Sequence, residues 1–576
     1  MSFLGHQLAT SVLVVGAGRA GLRAAIEIAE TGMSVIAVGS RADDRARTAM
    51  EPAGIEEMLA TTDFAGGWQQ RVADLLQDNH LPADTSSVHS TARKALQAVY
   101  DLERYVMRFD CQCHSRNNSR YVVESTHVRN NAFDGDCTGR EVQGILRERA
   151  DRLAIPTLPD VYITRLLVDD GTVFGAYGID LIDGSRYIIR ADAVIIAAGG
   201  HTRIWQRTSS RRGENTGDSF RLAVEAGARL RSAELVQFHP FGLIKPENAA
   251  GALVSDSVRS EGGILLNNLG ERFMARYDPE RMELSNRDNV SLASYSEIKE
   301  GRGTQDGGVW LDLSHLPRET VITRLPRVHQ TLLDLQMLDV TRDPIEVAPT
   351  AHYSTGGVWV RPEDHSTDVN GLFAIGEAAS GLHGANRWEQ DSLVELLRHS
   401  KIAGRAAAEY SAKLTGQQRS LAAVRAAETD VNRLLAADGG QNVRALQRSV
   451  RRLMTEHAGL LRSEAGLVAG LAALDEIETR MVDVGVHIDI SGFQDLAYAF
   501  NLRSTVLAAR ATFESALERR ETRGCHIRSD YPDPNPALAV NLVWSPDTGV
   551  RREPVQADVI KLTRGVSADS GVTDST

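Results

Sequence analysis

Gly16, Gly18 and Gly21 stand in G-A-G-R-A-G, between the apolar run SVLVV (11–15) and a segment where Leu22, Ala25, Ile26 and Ala29 recur at helical spacing. A glycine turn between a strand and a helix lets backbone approach a pyrophosphate, whose charge then meets the helix N-terminus. An ordinary NAD site carries an acidic residue at the end of the second strand. Here Gly39, Ser40 and Arg41 stand in that place. Farther on, NGLFAIGEAAS (370–380) reads as a strand ending in Gly376 and Glu377, where a carboxylate can accept hydrogen bonds from a ribose. IIAAGG (195–200) gives a third Gly-ended strand. Together these segments point to FAD held by a site built in parts.

The elements that position these residues follow the periodicity. SVLVV and SVIAV (34–38) read as buried parallel strands flanking the first helix. Helices are expected around 87–107 and 138–153, the second opened by Thr138 and Glu141 at capping-box spacing. Short strands follow near 160–168, 174–180 and 186–190, then the separate buried strand ADAVIIAAGG. Residues 415–522 read as helical. The small polar tail from about 564 reads as disordered.

The chain has 576 residues and a net charge of −12, which argues against nucleic-acid binding through a basic surface. Four cysteines (Cys111, Cys113, Cys137, Cys525) are too few for a disulfide framework and indicate a reducing compartment. Cys111-Gln-Cys113-His114 lacks a second ligand pair at zinc or iron–sulfur spacing, so no metal is expected. No apolar run reaches the roughly 18 residues of a spanning helix, and the N-terminus has no signal-peptide layout.

Six ordered segments carry a family resemblance: LVQFHPFG (235–242), LVSDSVRSEGGILLNNLGERFMARY (253–277), LSNRD (284–288), PTAHYSTGGV (349–358), GLFAIGEAASGLHGANR (371–387) and RRETRGCHIRSDYP (519–532). The chain resembles the flavoprotein subunits of succinate dehydrogenase and fumarate reductase, a family that includes L-aspartate oxidase. The resemblance implies interconversion of fumarate and succinate, with hydride transfer at flavin N5 and proton transfer by Arg287. A four-carbon dicarboxylate needs cationic or hydrogen-bonding partners at both ends. His239, Ser255, His352 and Arg387 fall on the substrate positions, and a guanidinium binds carboxylate through two parallel hydrogen bonds. Arginine alone is a poor acid, so Arg287 needs a relay, for which Asp256 and Asp288 are the candidates. Ser255-Asp256 replaces the family's Thr-Glu pair, one methylene shorter at Asp256. Asp218, Ser392 and Leu393 join Gly16, Gly18, Gly21, Ser40, Arg41 and Glu377 as implied cofactor contacts.

Three departures qualify the resemblance. Arg47 replaces the histidine that links flavin covalently in the respiratory members, so non-covalent FAD is expected, favouring fumarate reduction. Trp388-Glu389-Gln390-Asp391 replaces small residues after HGANR, leaving open a changed substrate or a repurposed, non-catalytic subunit. Glu124, three residues before His127, resembles the loop of L-aspartate oxidase and keeps that activity as an alternative.

The resulting expectation is an α/β protein with a two-part Rossmann-like FAD-binding domain (1–235 and 351–410). A capping domain (236–350) is inserted, and a helical domain (411–535) and a C-terminal extension (536–576), disordered at its end, follow. Closure of the cap is expected to bring His239, Ser255 and Arg287 against His352 and Arg387 of the base. An iron–sulfur subunit is the implied electron partner, since no iron–sulfur motif occurs in this chain. The implied location is cytoplasmic, or peripheral on the inner face of the membrane through partner subunits, with no direct membrane insertion.

Overall fold

The computed structural model describes residues 5–39, 105, 138–387, 391–416, 419–488 and 492–555. The helix expected around 87–107, apart from Tyr105, and the tail from 564 lie outside the described residues. So do Ser40, Arg41, Arg47, Cys111, Cys113, Glu124, His127, Cys137 and Trp388 to Gln390.

The base is a seven-stranded sheet. Strand β1 (His6–Val15) leads through the glycine turn into helix α1 (Arg19–Glu30) and on to β2 (Val35–Val38), parallel to β1. Val12, Leu13 and Val14 are fully buried, as an apolar run covered on both faces must be. Helix α2 (Thr138–Arg152) then delivers the chain to β3 (Thr157–Leu158), β4 (Val161–Asp169), β5 (Thr172–Asp180) and β6 (Arg186–Ile196). The sheet order is β3-β2-β1-β6-β5-β4. The two strands expected over 186–200 are one. Arg190 is exposed and Asp192 accepts a hydrogen bond from Ser411, so neither polar residue interrupts the ladder. The first half of β6 pairs antiparallel with β5, and its last residues pair parallel with Leu372–Ala374. That pairing returns the Gly376-Glu377 segment to the glycine turn roughly 350 residues after the chain left it.

Helix α3 (Asp218–Glu225) and the short β7 (Leu230–Arg231) precede the cap. The cap is a four-stranded sheet, β8 (Val236–Leu243), β9 (Ile264–Leu266), β10 (Val309–Asp312) and β11 (Ile345–Ser354), in the order β8-β11-β10-β9. Between its strands lie helices α4 (Ser257–Ser260) and α5 (Arg287–Lys299). Because β11 runs unbroken to Ser354, a boundary at 350 cuts a cap strand, and His352 belongs to the cap sheet rather than to the base. Val309, Leu311, Ile345 and Val347 are fully buried in the cap's own core.

After β12 (Gly357–Val358) and β13 (Leu372–Ala374), helix α6 (Asp391–Lys413) packs on α1. The helical domain follows as α7 (Ala422–Leu435), α8 (Val443–His457), α9 (Glu464–Met481) and α10 (Gln494–Glu518). The C-terminal segment forms a hairpin, β14 (Val540–Ser545) and β15 (Gly549–Pro554), which joins β7 and β12 in one sheet. This part of the extension is therefore built into the base. Among the described residues, no helix is long and apolar enough to cross a membrane.

Candidate active site

The glycines of the first turn divide the work. Gly16 has φ +117° and a Cβ there would lie 2.2 Å from the Ala197 carbonyl oxygen, so the turn packs against the end of β6. A Cβ on Gly21 would meet the Gly16 oxygen at 1.8 Å. Gly18 differs: it has an ordinary φ of −74°, is the N-cap of α1, and a Cβ on it would meet nothing within 4 Å. Its side-chain position is open space in front of a helix N-terminus with no capping side chain and no acidic residue in its first turn. The residues fit a dinucleotide pyrophosphate at that point. Glu377 accepts from the Ser354 backbone N–H and from Asn215 Nδ2, both at 3.0 Å, and so ties the second segment to the cap strand β11.

Three expected cofactor contacts stand differently. Both Asp218 oxygens are taken by protein donors: Tyr162 and Ser504 on Oδ1, Thr216 and Asn501 on Oδ2. Its carboxylate ties the base to α10. The Leu393 side chain is buried in the apolar cluster with Leu22 and Ile26. Ser392 falls in the first turn of α6.

The candidate catalytic residues converge across the cap. Edge strand β8 tolerates Pro240, which has no N–H to offer a ladder. The register shifts there, so Phe241 N–H donates to His239 Nδ1 at 3.1 Å. His239 Nε2–H then faces Asp256 Oδ2 at 3.2 Å. Asn286 caps α5 by accepting from Asn289 N–H, placing Arg287 at the first helical position. Arg287 reaches Asp256 Oδ2 through Nε at 2.7 Å and Nη2 at 2.5 Å. On the other oxygen, Asp256 receives Arg259 Nε at 3.0 Å. The shorter carboxylate therefore still spans Arg287, His239 and Arg259. Ser255 is buried beside it and accepts from Ser257 N–H.

His352, on the neighbouring strand, sets its ring 5.4 Å from that of His239, edge-on. Its Nδ1 meets Ser209 Oγ at 3.0 Å and its Nε2 meets Arg387 Nη1 at 3.4 Å. Arg387 comes from the base loop and lies 4.1 Å over the Tyr353 ring. The Tyr353 hydroxyl donates to Glu395, as does His383 Nε2. Arg287 and Arg387, far apart in sequence, meet on one atom. The Gln237 side-chain oxygen accepts from Arg287 Nη1 at 3.3 Å and from Arg387 Nη1 at 3.4 Å.

Electrostatics follow burial and partners. Burial lowers the pKa of His239, and lowers that of His352 well below the usual value with help from Arg387. Both imidazoles are neutral. Burial would raise the Asp256 carboxyl, but Arg259 and Arg287 hold it well below the usual carboxylate range. Asp288 behaves in the opposite way. It faces away from the relay, neither oxygen has a hydrogen-bond partner among the described residues, and burial pushes it up to about 7 against the pull of Arg287. Of the two relay candidates, Asp256 holds Arg287.

Residues 11–393 match the family described as FAD binding domain, and residues 447–564 the family described as fumarate reductase flavoprotein C-term. The chain belongs to the fumarate reductase and succinate dehydrogenase flavoprotein family, a family of FAD-dependent oxidoreductases. It is 36% identical to the flavin-binding-type chain of the fumarate reductase (CoM/CoB) of Methanothermobacter marburgensis, over 91% of this chain and 95% of that one. It is 32% identical to the succinate dehydrogenase flavoprotein subunit of Rickettsia bellii, over 91% and 90%. The E. coli quinol fumarate reductase flavoprotein superposes with a TM-score of 0.85 at 29% identity, over 95% of this chain and 96% of that one.

Two site residues escape the sequence reading. Gln237 lies two positions before His239 on the same strand, and Arg259 lies one helical turn after Asp256. Both spacings place side chains on one face and are the signal that marks them.

Proposed function

We propose that the chain is the flavoprotein subunit of a fumarate reductase or succinate dehydrogenase, interconverting fumarate and succinate. The observation that carries this reading is the meeting of two buried guanidiniums, Arg287 and Arg387, at a single neutral oxygen. Their Nη1 contacts are long, so carboxylate oxygens can replace Gln237 and His352 there with stronger, charge-assisted bonds. FAD, when bound, supplies or takes the hydride. Arg387 grips one carboxylate, kept flat by Tyr353, while Ser255 and His239 lie toward the other end. Arg287 holds the proton exchanged with the substrate carbon. Asp256 links Arg287 to Arg259, whose side chain is 12% exposed, and this gives the proton a way in from solvent. Cap strands β8 and β11 cover the site and exclude water from it.

FAD is held without a covalent bond, since Arg47 cannot form the link that histidine makes in the respiratory members. That favours the fumarate-reducing direction. Electrons reach the site through an iron–sulfur partner, which also sets any association with the membrane. The test is anaerobic incubation of FAD-loaded protein with reduced viologen and fumarate. Dye oxidation with stoichiometric succinate is expected. No dye oxidation, with peroxide formed aerobically from L-aspartate, would put L-aspartate oxidase in its place. Failure of both would mean a non-catalytic flavoprotein.

A further inference from the structure

Gln237 is fully buried on β8, and four hydrogen bonds fix its amide. The oxygen accepts from Arg287 Nη1 and Arg387 Nη1. The nitrogen donates to the Arg387 backbone oxygen at 2.8 Å and to Asn386 Oδ1 at 3.1 Å. Both groups on the nitrogen side are acceptors and both on the oxygen side are donors, so a flipped amide would lose all four bonds. Arg287 is carried by cap helix α5 and Arg387 by the base loop, so no single element sets the distance between them. Gln237 touches both guanidiniums and the loop backbone that carries one of them.

Resting on the dicarboxylate reading above, we infer that Gln237 is a positioning residue that fixes the separation of Arg287 and Arg387 and thereby selects the chain length of the diacid. A diacid gripped at both ends must match that separation. A mismatch of one methylene in a fixed site costs about 10- to 200-fold in discrimination. Removing the shared oxygen lets each guanidinium follow its own carboxylate, and the ranking of diacids flattens even where one of them still binds.

Calorimetric titration of the FAD-loaded protein with malonate, succinate and glutarate tests this, for the natural chain and for Gln237→Ala and Gln237→Leu. The natural chain is expected to prefer one length by about tenfold or more over its neighbours. Both variants are expected to bind all three within about threefold, with unchanged FAD content. If the natural chain binds none of the diacids, the proposed function falls and this inference with it. If it binds all three equally, or if a variant keeps the natural ranking, the inference alone is overturned. The first of those readings needs no variant to fold.

Discussion

Asp288 carries a strong prediction, because it is a buried carboxyl without a hydrogen-bond partner among the described residues. Its pKa is raised from 3.8 to about 7 by burial, with the Arg287 charge only partly opposing. The folded state thus binds the proton more tightly than the unfolded state. The natural chain loses stability as pH rises from about 4 to about 7, and the loss is complete above that. Three units at 1.36 kcal/mol each give a penalty on the order of 4 kcal/mol at pH 8, and less than half of that at pH 5. Asp288→Asn keeps the shape and stays neutral throughout. Its unfolding midpoint should therefore gain on that of the natural chain between pH 5 and pH 8, with a plateau beyond. Midpoints are the proper comparison, since a chain of several domains need not unfold in one step. Infrared difference spectra should also show a protonated carboxyl near pH 6 that is absent from the variant. A gap between the two chains that stays constant from pH 5 to pH 8 would refute the reasoning.

The cofactor site yields two further expectations. Gly18→Leu should leave the fold intact, because a side chain there enters open space, yet abolish FAD binding; a folded variant that purifies yellow would remove the pyrophosphate from this turn. Acid precipitation of the natural holoprotein should leave the yellow chromophore in the supernatant, and colour in the pellet would contradict non-covalent attachment.

The dinucleotide turn is legible in the sequence because its chemistry is local: strand, glycines and helix are contiguous, and Gly21 answers a steric demand within a few residues of itself. The continuity of β6 through 190–192 is not legible, because composition does not reveal which face of a strand is open. Arg190 points to solvent and Asp192 finds Ser411, a partner more than two hundred positions away. His352 reads as part of the base because its motif precedes the second FAD segment, whereas pairing with β8 carries it into the cap. Asp288 and Asp256 look equivalent as relay groups in the sequence. Only the helix start at Asn286 and the turn at Pro240 determine that Arg287 aims toward Asp256 while its sequence neighbour aims away.

These placements also bear on why the site should hold a dianion rather than a neutral substrate. Three arginines surround the Asp256 region and the clamp, while His239 and His352 are neutral and Asp256 supplies one negative charge. The site is therefore about two positive charges in excess while Asp288 keeps its proton, matching two carboxylates, and about one in excess once Asp288 ionises. A dianion seated against Arg287 offsets the charge that draws Asp288 downward, so Asp288 should take up a proton as the diacid binds. Titration of the natural holoprotein with malonate near pH 7.5, in two buffers of different ionisation enthalpy, should reveal that uptake, and Asp288→Asn should abolish it. Equal uptake in both proteins would mean that the responding group is elsewhere and that Asp288 does not sense the charge in the clamp.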